Sequence, residues 1–344
     1  MTSFGKSVLL TGLAAAGLTI AAAAFAAGPD TLPADAKRVF APLPAAPSAA
    51  TDQAVLGRRL FFETRVSADG NVSCAHCHLP EKQGADGLPK AIGVFGKINP
   101  RNAPTIFNAA LQFKAHWRGD RETIEEQAEK SPTGAVSFGA PDFATVVAEL
   151  KSIPGYQEAF AKAFPGEADP VTQKNWGKAL GAYERTLPQP TRFDAFLAGD
   201  AKALTPAEQA GLRKFIEVGC AGCHDGVGVG GTSFAKFGVV EDYWKETGSK
   251  DPDKGRADVT KNDADLYVFK VPSLRNVAKT GPYFHDGSVA DLPKAVRVMG
   301  KVQLGLDLSD KDVEAITAFL GALTQPVPAN YSALTPFPDA AAKK

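Results

Sequence analysis

Apolar residues recur along this chain at helical spacing and alternate almost nowhere, a pattern that predicts a mainly helical fold. In 52–62, Val55, Leu56, Leu60 and Phe61 repeat with Arg58 and Arg59 between them, as in a short amphipathic helix. The stretches 143–153 and 156–164 read as helices broken by Pro154-Gly155. A third, 175–187, carries Trp176, Ala179, Leu180 and Tyr183 on one stripe. Thr205-Pro206-Ala207-Glu208 has the form of a capping box with proline at the first helical position. It opens a helix running through Leu212, Phe215 and Ile216. Ser309 is placed to cap a last helix carrying Val313, Ile316, Leu320 and Leu323. The best strand-like run is 266–271.

The segments between these elements are rich in turn formers. The Pro/Ala-rich stretch 33–50 reads as an extended surface arm. The Gly/Pro-rich loop 79–102 is of a length that usually covers a site. Pro188-Gln189-Pro190 marks a boundary. The chain has 344 residues, enough for two domains with cores of their own. The expected organisation is a leader at 1–26, one domain at 27–190 and a second at 191–335.

Lys plus Arg and Asp plus Glu both number 38, so no basic field points to nucleic acid. The first thirty residues differ from the rest. Lys6 is the only charge before Asp30, 8–27 is mostly Ala, Leu and Gly, and Ala24-Phe25-Ala26 has the form of a cleavage site. This predicts a cleaved export signal and a periplasmic protein. An uncleaved membrane anchor is the alternative, disfavoured by the weak hydrophobicity of alanine and glycine.

The chemistry is concentrated in four cysteines. Cys74-Ala75-His76-Cys77-His78 and Cys220-Ala221-Gly222-Cys223-His224 each read C-x-x-C-H, the attachment signature of a c-type haem. On one helical turn, i, i+3 and i+4 share a face, so both thiols reach the porphyrin edge and the histidine reaches the iron. A redox dithiol or a four-cysteine zinc site is the alternative, but neither requires a histidine directly after the second cysteine. Two covalent haems assign His78 and His224 as proximal ligands. Met299 is the only methionine besides Met1, and it lies past the second motif, where a thioether would complete an electron-transfer haem. A core methionine filling a gap is the other reading. His76, within the motif, cannot reach the opposite haem face. His116 and His285 read as hydrogen-bonded histidines, with direct ligation as the alternative.

The chain resembles the bacterial dihaem cytochrome c peroxidases and their relatives of the MauG type. The resemblance rests on both haem motifs and on Arg101-Asn102-Ala103-Pro104-Thr105, Trp117-Arg118-Gly119-Asp120-Arg121 and Tyr183-Glu184-Arg185-Thr186-Leu187. It continues through Lys270-Val271-Pro272-Ser273-Leu274-Arg275-Asn276 and Thr280-Gly281-Pro282-Tyr283-Phe284-His285-Asp286-Gly287, and ends on Ala295-Val296-Arg297-Val298-Met299-Gly300. It implies two cytochrome c-like domains. The first haem, on Cys74, Cys77 and His78, would reduce hydrogen peroxide. The second, on Cys220, Cys223, His224 and Met299, would take electrons from a small donor such as a cytochrome c or a cupredoxin. It further implies Trp117 between the haems, Gln127 in the peroxide pocket, and a calcium ion held by Asn102 with the carbonyls of Thr280 and Pro282. Members are often dimers.

Two positions depart from the family pattern. Ile92-Gly93-Val94 stands where typical members have Ile-Gly-His, whose histidine blocks the resting peroxide haem. Ser137 stands where the family usually carries a pocket glutamate. The first departure implies an open first haem, and the second implies slow peroxide turnover. Two other functions compete with peroxide reduction: a MauG-like oxidation of residues of a partner protein, and electron carriage without catalysis.

Overall fold

The computed structural model describes residues 31–339. The predicted leader, with its 8–27 run and Ala24-Phe25-Ala26, lies outside them. The described residues form a largely helical structure. Its helices are α1 (Leu32–Val39), α2 (Asp52–Phe61), α3 (Cys74–Cys77), α4 (Ile124–Lys130), α5 (Phe143–Ser152), α6 (Tyr156–Ala163) and α7 (Gln173–Glu184). They continue with α8 (Arg192–Ala198), α9 (Pro206–Glu217), α10 (Tyr243–Thr247), α11 (Ala257–Thr260), α12 (Leu292–Leu304) and α13 (Asp310–Gly321). The all-α expectation holds except for one ribbon. In it, β1 (Phe234–Lys236) pairs antiparallel with β2 (Val268–Lys270), Phe234 opposite Lys270, inside the predicted strand-like run.

The helices start where side chains can satisfy their free N–H groups. Thr51, Thr123, Asp142, Thr172 and Ser309 each accept from a backbone N–H in the first turn. The predicted box at Thr205 is complete, with Glu208 reaching back to the Thr205 N–H. A second box, Thr191 with Asp194, opens α8.

Two large apolar clusters organise the fold. In the first, α2 crosses α7, with Leu56, Leu60, Trp176, Leu180 and Tyr183 buried between them. In the second, α9 crosses α13 around Leu212, Phe215, Ile316 and Phe319. The two ends of the described chain cross between them. Leu32, Ala36 and Phe40, spaced four residues apart, bury into the second cluster, so the stretch read as an extended arm begins instead as α1. Pro33 does not break α1, because it occupies the first turn, where its missing N–H costs nothing. The C-terminal tail returns to the first cluster, burying Tyr331 and laying Phe337 against Tyr156. Arg58, predicted on the polar side of α2, holds that tail through the Ser332 carbonyl at 2.8 Å, and Arg59 sits over the Phe337 ring. No helix among the described residues is long and apolar enough to cross a membrane.

Candidate functional site

Each C-x-x-C-H stretch closes one helical turn. The His78 N–H donates to the Cys74 carbonyl at 3.1 Å, and the His224 N–H to the Cys220 carbonyl at 3.0 Å. That bond brings the two cysteines and the histidine of each motif to one side. The four thiols are free. Cys74 packs on the first cluster and Cys220 on the second. Among the described residues no three His, Cys, Asp or Glu side chains converge as a metal-binding group, so the cysteines do not form the geometry of a four-cysteine zinc site. Burial pushes the Cys77 and Cys220 thiols up to about 11, which keeps them protonated and neutral.

The residues fit covalent haem in both halves. His78 donates from Nδ1 to the Gly84 carbonyl at 2.8 Å, which fixes the tautomer and leaves Nε2 as the lone-pair nitrogen. Burial pushes its imidazole down to about 4 against that hydrogen bond, so it is neutral near pH 7 and able to ligate iron. His224 is likewise pushed down to about 4 by burial, against the pull of the Pro272 carbonyl, and its Nδ1 is buried without a partner of good hydrogen-bond geometry. Cys220, Cys223 and His224 line a cavity whose wall also includes Met299 from α12. It holds about 1500 Å³ of space free of atoms, part of it open to solvent. Phe215, Phe237, Phe269, Val296 and Leu320 give it apolar walls.

Trp117 and Asn102 from the first half, and Thr280 and Pro282 from the second, line the same cavity. The Trp117 indole donates to the Asn102 carbonyl at 3.0 Å, and the Lys270 N–H to the Trp117 carbonyl at 2.8 Å. Asn102 is buried, its N–H donates to the His285 carbonyl and its side-chain nitrogen to Leu88. His285 is also buried, stacked on Phe269 with its ring 4.3 Å away. His116 pairs with Asp120 at 3.3 Å, and His76 bonds the Ile92 carbonyl.

Gln127 and Ser137 meet at Ser131. The Gln127 amide donates to the Ser131 hydroxyl at 2.8 Å, and the Ser137 hydroxyl to the Ser131 carbonyl at 2.9 Å. Neither makes a hydrogen bond to a residue of the first haem motif. Val94 is fully buried in the first cluster and its N–H donates to the Ser137 carbonyl at 2.9 Å, so the two departures from the family pattern touch. Ile92, two residues earlier, has its carbonyl 3.6 Å from the Cys77 sulfur.

Sequence reasoning missed two site residues. Tyr331 donates its hydroxyl to the His78 carbonyl, but it lies in a proline-rich tail that carries no pattern. Lys270 is buried in the wall of the cavity at the second motif. It had a signal, a lone charge inside the apolar run of β2.

A family model described as di-haem cytochrome c peroxidase matches residues 51–202. The chain is 41% identical over 305 residues to a cytochrome c551 peroxidase of Pseudomonas aeruginosa, across 86% of this chain and 87% of that one. It is 40% identical over 274 residues to a cytochrome c551 peroxidase of Nitrosomonas europaea, across 79% and 80%. Among solved structures, the crystal structure of a MauG-like protein associated with microbial copper homeostasis aligns with a TM-score of 0.74 at 29% identity. That alignment covers 85% of this chain and 95% of the other.

Proposed function

The chain belongs to the di-haem cytochrome c peroxidase family, and from that premise we propose that it is an exported enzyme that reduces hydrogen peroxide to water at a haem on Cys74, Cys77 and His78. Cys220, Cys223, His224 and Met299 would hold a second haem, the entry point for electrons from a small cytochrome c or cupredoxin. One observation carries the division of labour. Met299 shares a cavity with the second motif, whereas the first half offers the buried, non-ligating Val94 where a second ligand would come from. A haem on the first motif would therefore be held by Cys74, Cys77 and His78, with Val94 offering it no further ligand.

Haem c, when bound, supplies an iron with an exchangeable position and a one-electron couple. The side chains do the rest. His78, held by Gly84, presents its Nε2 from one face. Trp117, fixed through Asn102 and Lys270, bridges the halves. Reduction consumes two electrons and two protons per peroxide and yields two waters, so a proton must reach the departing oxygen. Gln127 and Ser137 can hydrogen-bond peroxide by exchanging their bonds to Ser131, but neither is a base near neutral pH. Asn102, with the Thr280 and Pro282 carbonyls, offers the hard oxygen donors that calcium prefers.

A second reading, oxidation of residues of a partner protein, is favoured by one feature. The Ser137 hydroxyl is turned into its own loop, which leaves no acid–base group at that position. Steady-state peroxide reduction with a reduced small cytochrome c, alongside EPR of the fully ferric protein, tests the proposal. The expected result is a first haem without a bis-histidine low-spin signal, rapid peroxide binding and slow turnover. A missing acid–base group typically costs about a hundred- to ten-thousand-fold, so Ser137→Glu should raise the rate. A bis-histidine first haem, or no peroxide reduction by either protein, would overturn it.

A further inference from the structure

Lys270 lies in β2, opposite Phe234 of β1, and its side chain is 5% exposed. It lines the cavity shared by Cys220, Cys223, His224 and Met299. Its ammonium donates to the Gln112 side-chain oxygen and makes no ion pair with any Asp or Glu among the described residues. Burial pushes its pKa down to about 8. The other lysine on this cavity, Lys236, is exposed. A buried ammonium with one neutral acceptor is an expensive feature, because desolvation of a charge costs several kcal/mol unless an opposite charge offsets it. The fold shows how it treats such groups elsewhere. Arg275, equally buried, meets Asp194 through two 2.8 Å bonds. The partner that Lys270 lacks in the protein is an anion.

We propose that Lys270 anchors the second haem by binding one of its propionate carboxylates, turning that edge of the macrocycle toward the first half of the molecule. The inference rests on the reading that Cys220, Cys223 and His224 carry a haem. Haem c brings two carboxylates into a cavity otherwise walled by aromatic and aliphatic side chains, and Lys270 is the buried cation there. The same residue donates its N–H to the Trp117 carbonyl, and its Gln112 partner comes from the first half, beside Phe113, whose N–H bonds Gly231. The propionate edge, Trp117 and the join between the halves are thus held by one residue. Lys270 acts as a positioning residue for electron passage, and a fixed positive charge beside the haem favours its reduced, less positive state.

Redox titration of the holoprotein and of Lys270→Gln tests this, with both haems first counted by pyridine haemochrome. The expected result is two haems per chain in each, a lower reduction potential for the His/Met haem in Lys270→Gln, and recovery in Lys270→Arg. Resonance Raman of the half-reduced wild type supplies a readout that does not depend on a variant folding. The propionate bending band of the reduced haem should shift between H2O and D2O, as expected for a carboxylate bonded to an ammonium. An unchanged potential in Lys270→Gln, or no shift in the wild-type band, overturns the anchor. A haem count showing none on Cys220 and Cys223 overturns instead the reading beneath it.

Discussion

Arg275 and Asp194 show what single residues do to this fold. Their bidentate pair is almost wholly buried, Arg275 Nε also donates to the Val227 carbonyl at 2.7 Å, and Asp194 accepts from the backbone of Thr191 and Leu43. The pair joins the segment after β2, and through Val227 the loop after the second haem motif, to the start of α8. Burial works to raise the Asp194 carboxyl, but the hydrogen bonds and charge of Arg275 win and hold it below the usual range. Arg275→Met leaves that carboxylate buried and uncompensated, and should cost about 3–5 kcal/mol in thermal or denaturant unfolding. A loss within the noise of a surface substitution would show that the pair is replaceable. Glu184 is the opposite case. It is buried beside Cys74, and its nearest cation, Arg185, already pairs with Glu125. Burial, with Glu125 adding to it, pushes its pKa up to about 8. A raised carboxyl pKa means the folded state holds a proton that the unfolded chain releases above its ordinary value near 4.5. Stability from this site is therefore present below about pH 4.5 and lost progressively up to about pH 8. Glu184→Gln should flatten that decline, which unfolding curves across this range would measure. At this scale the haem motifs were legible because their spacing is their chemistry. The burial of Glu184 was not, because burial of a single charge is set by its neighbours in space.

The elements repeat a plan that the sequence only hinted at. Each haem turn is preceded by a helix that crosses a later helix at a glycine. A Cβ on Gly57 of α2 would fall 1.9 Å from the Ala179 carbonyl oxygen of α7, and one on Gly211 of α9 would fall 1.9 Å from that of Ala315 in α13. The next contacts are Tyr183 Cβ in the first case and Phe319 Cβ in the second, each four residues beyond the alanine. Either glycine replaced by alanine forces the backbones apart, with a cost of about 1–3 kcal/mol or more. Gly321→Ala is the control, since a Cβ there meets nothing within 4 Å. Equal melting temperatures for Gly57→Ala, Gly211→Ala and the control would mean that the crossings are loose. The helices read from periodicity are present because capping and apolar stripe agreed in each but α6, which starts at Gly155 without a side-chain cap and rests on its apolar stripe. The helices α1 and α12 escaped that reading because α1 opens a Pro/Ala-rich stretch and α12 contains Gly300, which reads as a breaker in sequence but packs here against Leu308.

At the scale of the whole molecule, the joint between the halves is polar, and a hydrophobic pattern is silent about it. Asn276 donates to Asn108 at 2.9 Å with both side chains fully buried, Gln325 bonds the Leu187 carbonyl, and Arg101 pairs with Asp253. Residues 101–121 supply much of this seam, and Asn102 is at its centre. Its N–H, its carbonyl and its side-chain nitrogen are committed to His285, Trp117 and Leu88, which leaves the side-chain oxygen for a cation. Thr280 and Pro282 line the same cavity from the other half, so a calcium ion bound there would link the halves directly beside Trp117. An ion bound only by the native state stabilises it by mass action, by about 2.7 kcal/mol when free calcium is a hundred times its dissociation constant. Chelation of the holoprotein should therefore lower the melting temperature, and calcium, but not magnesium, should restore it, because magnesium demands a tighter octahedral shell. Asn102→Ala should melt low and ignore the chelator. Because Asn102 also holds the Trp117 indole, chelation should additionally alter the haem spectra. If calcium removal moves neither the melting temperature nor the spin state, the seam is held by its asparagines and ion pairs alone.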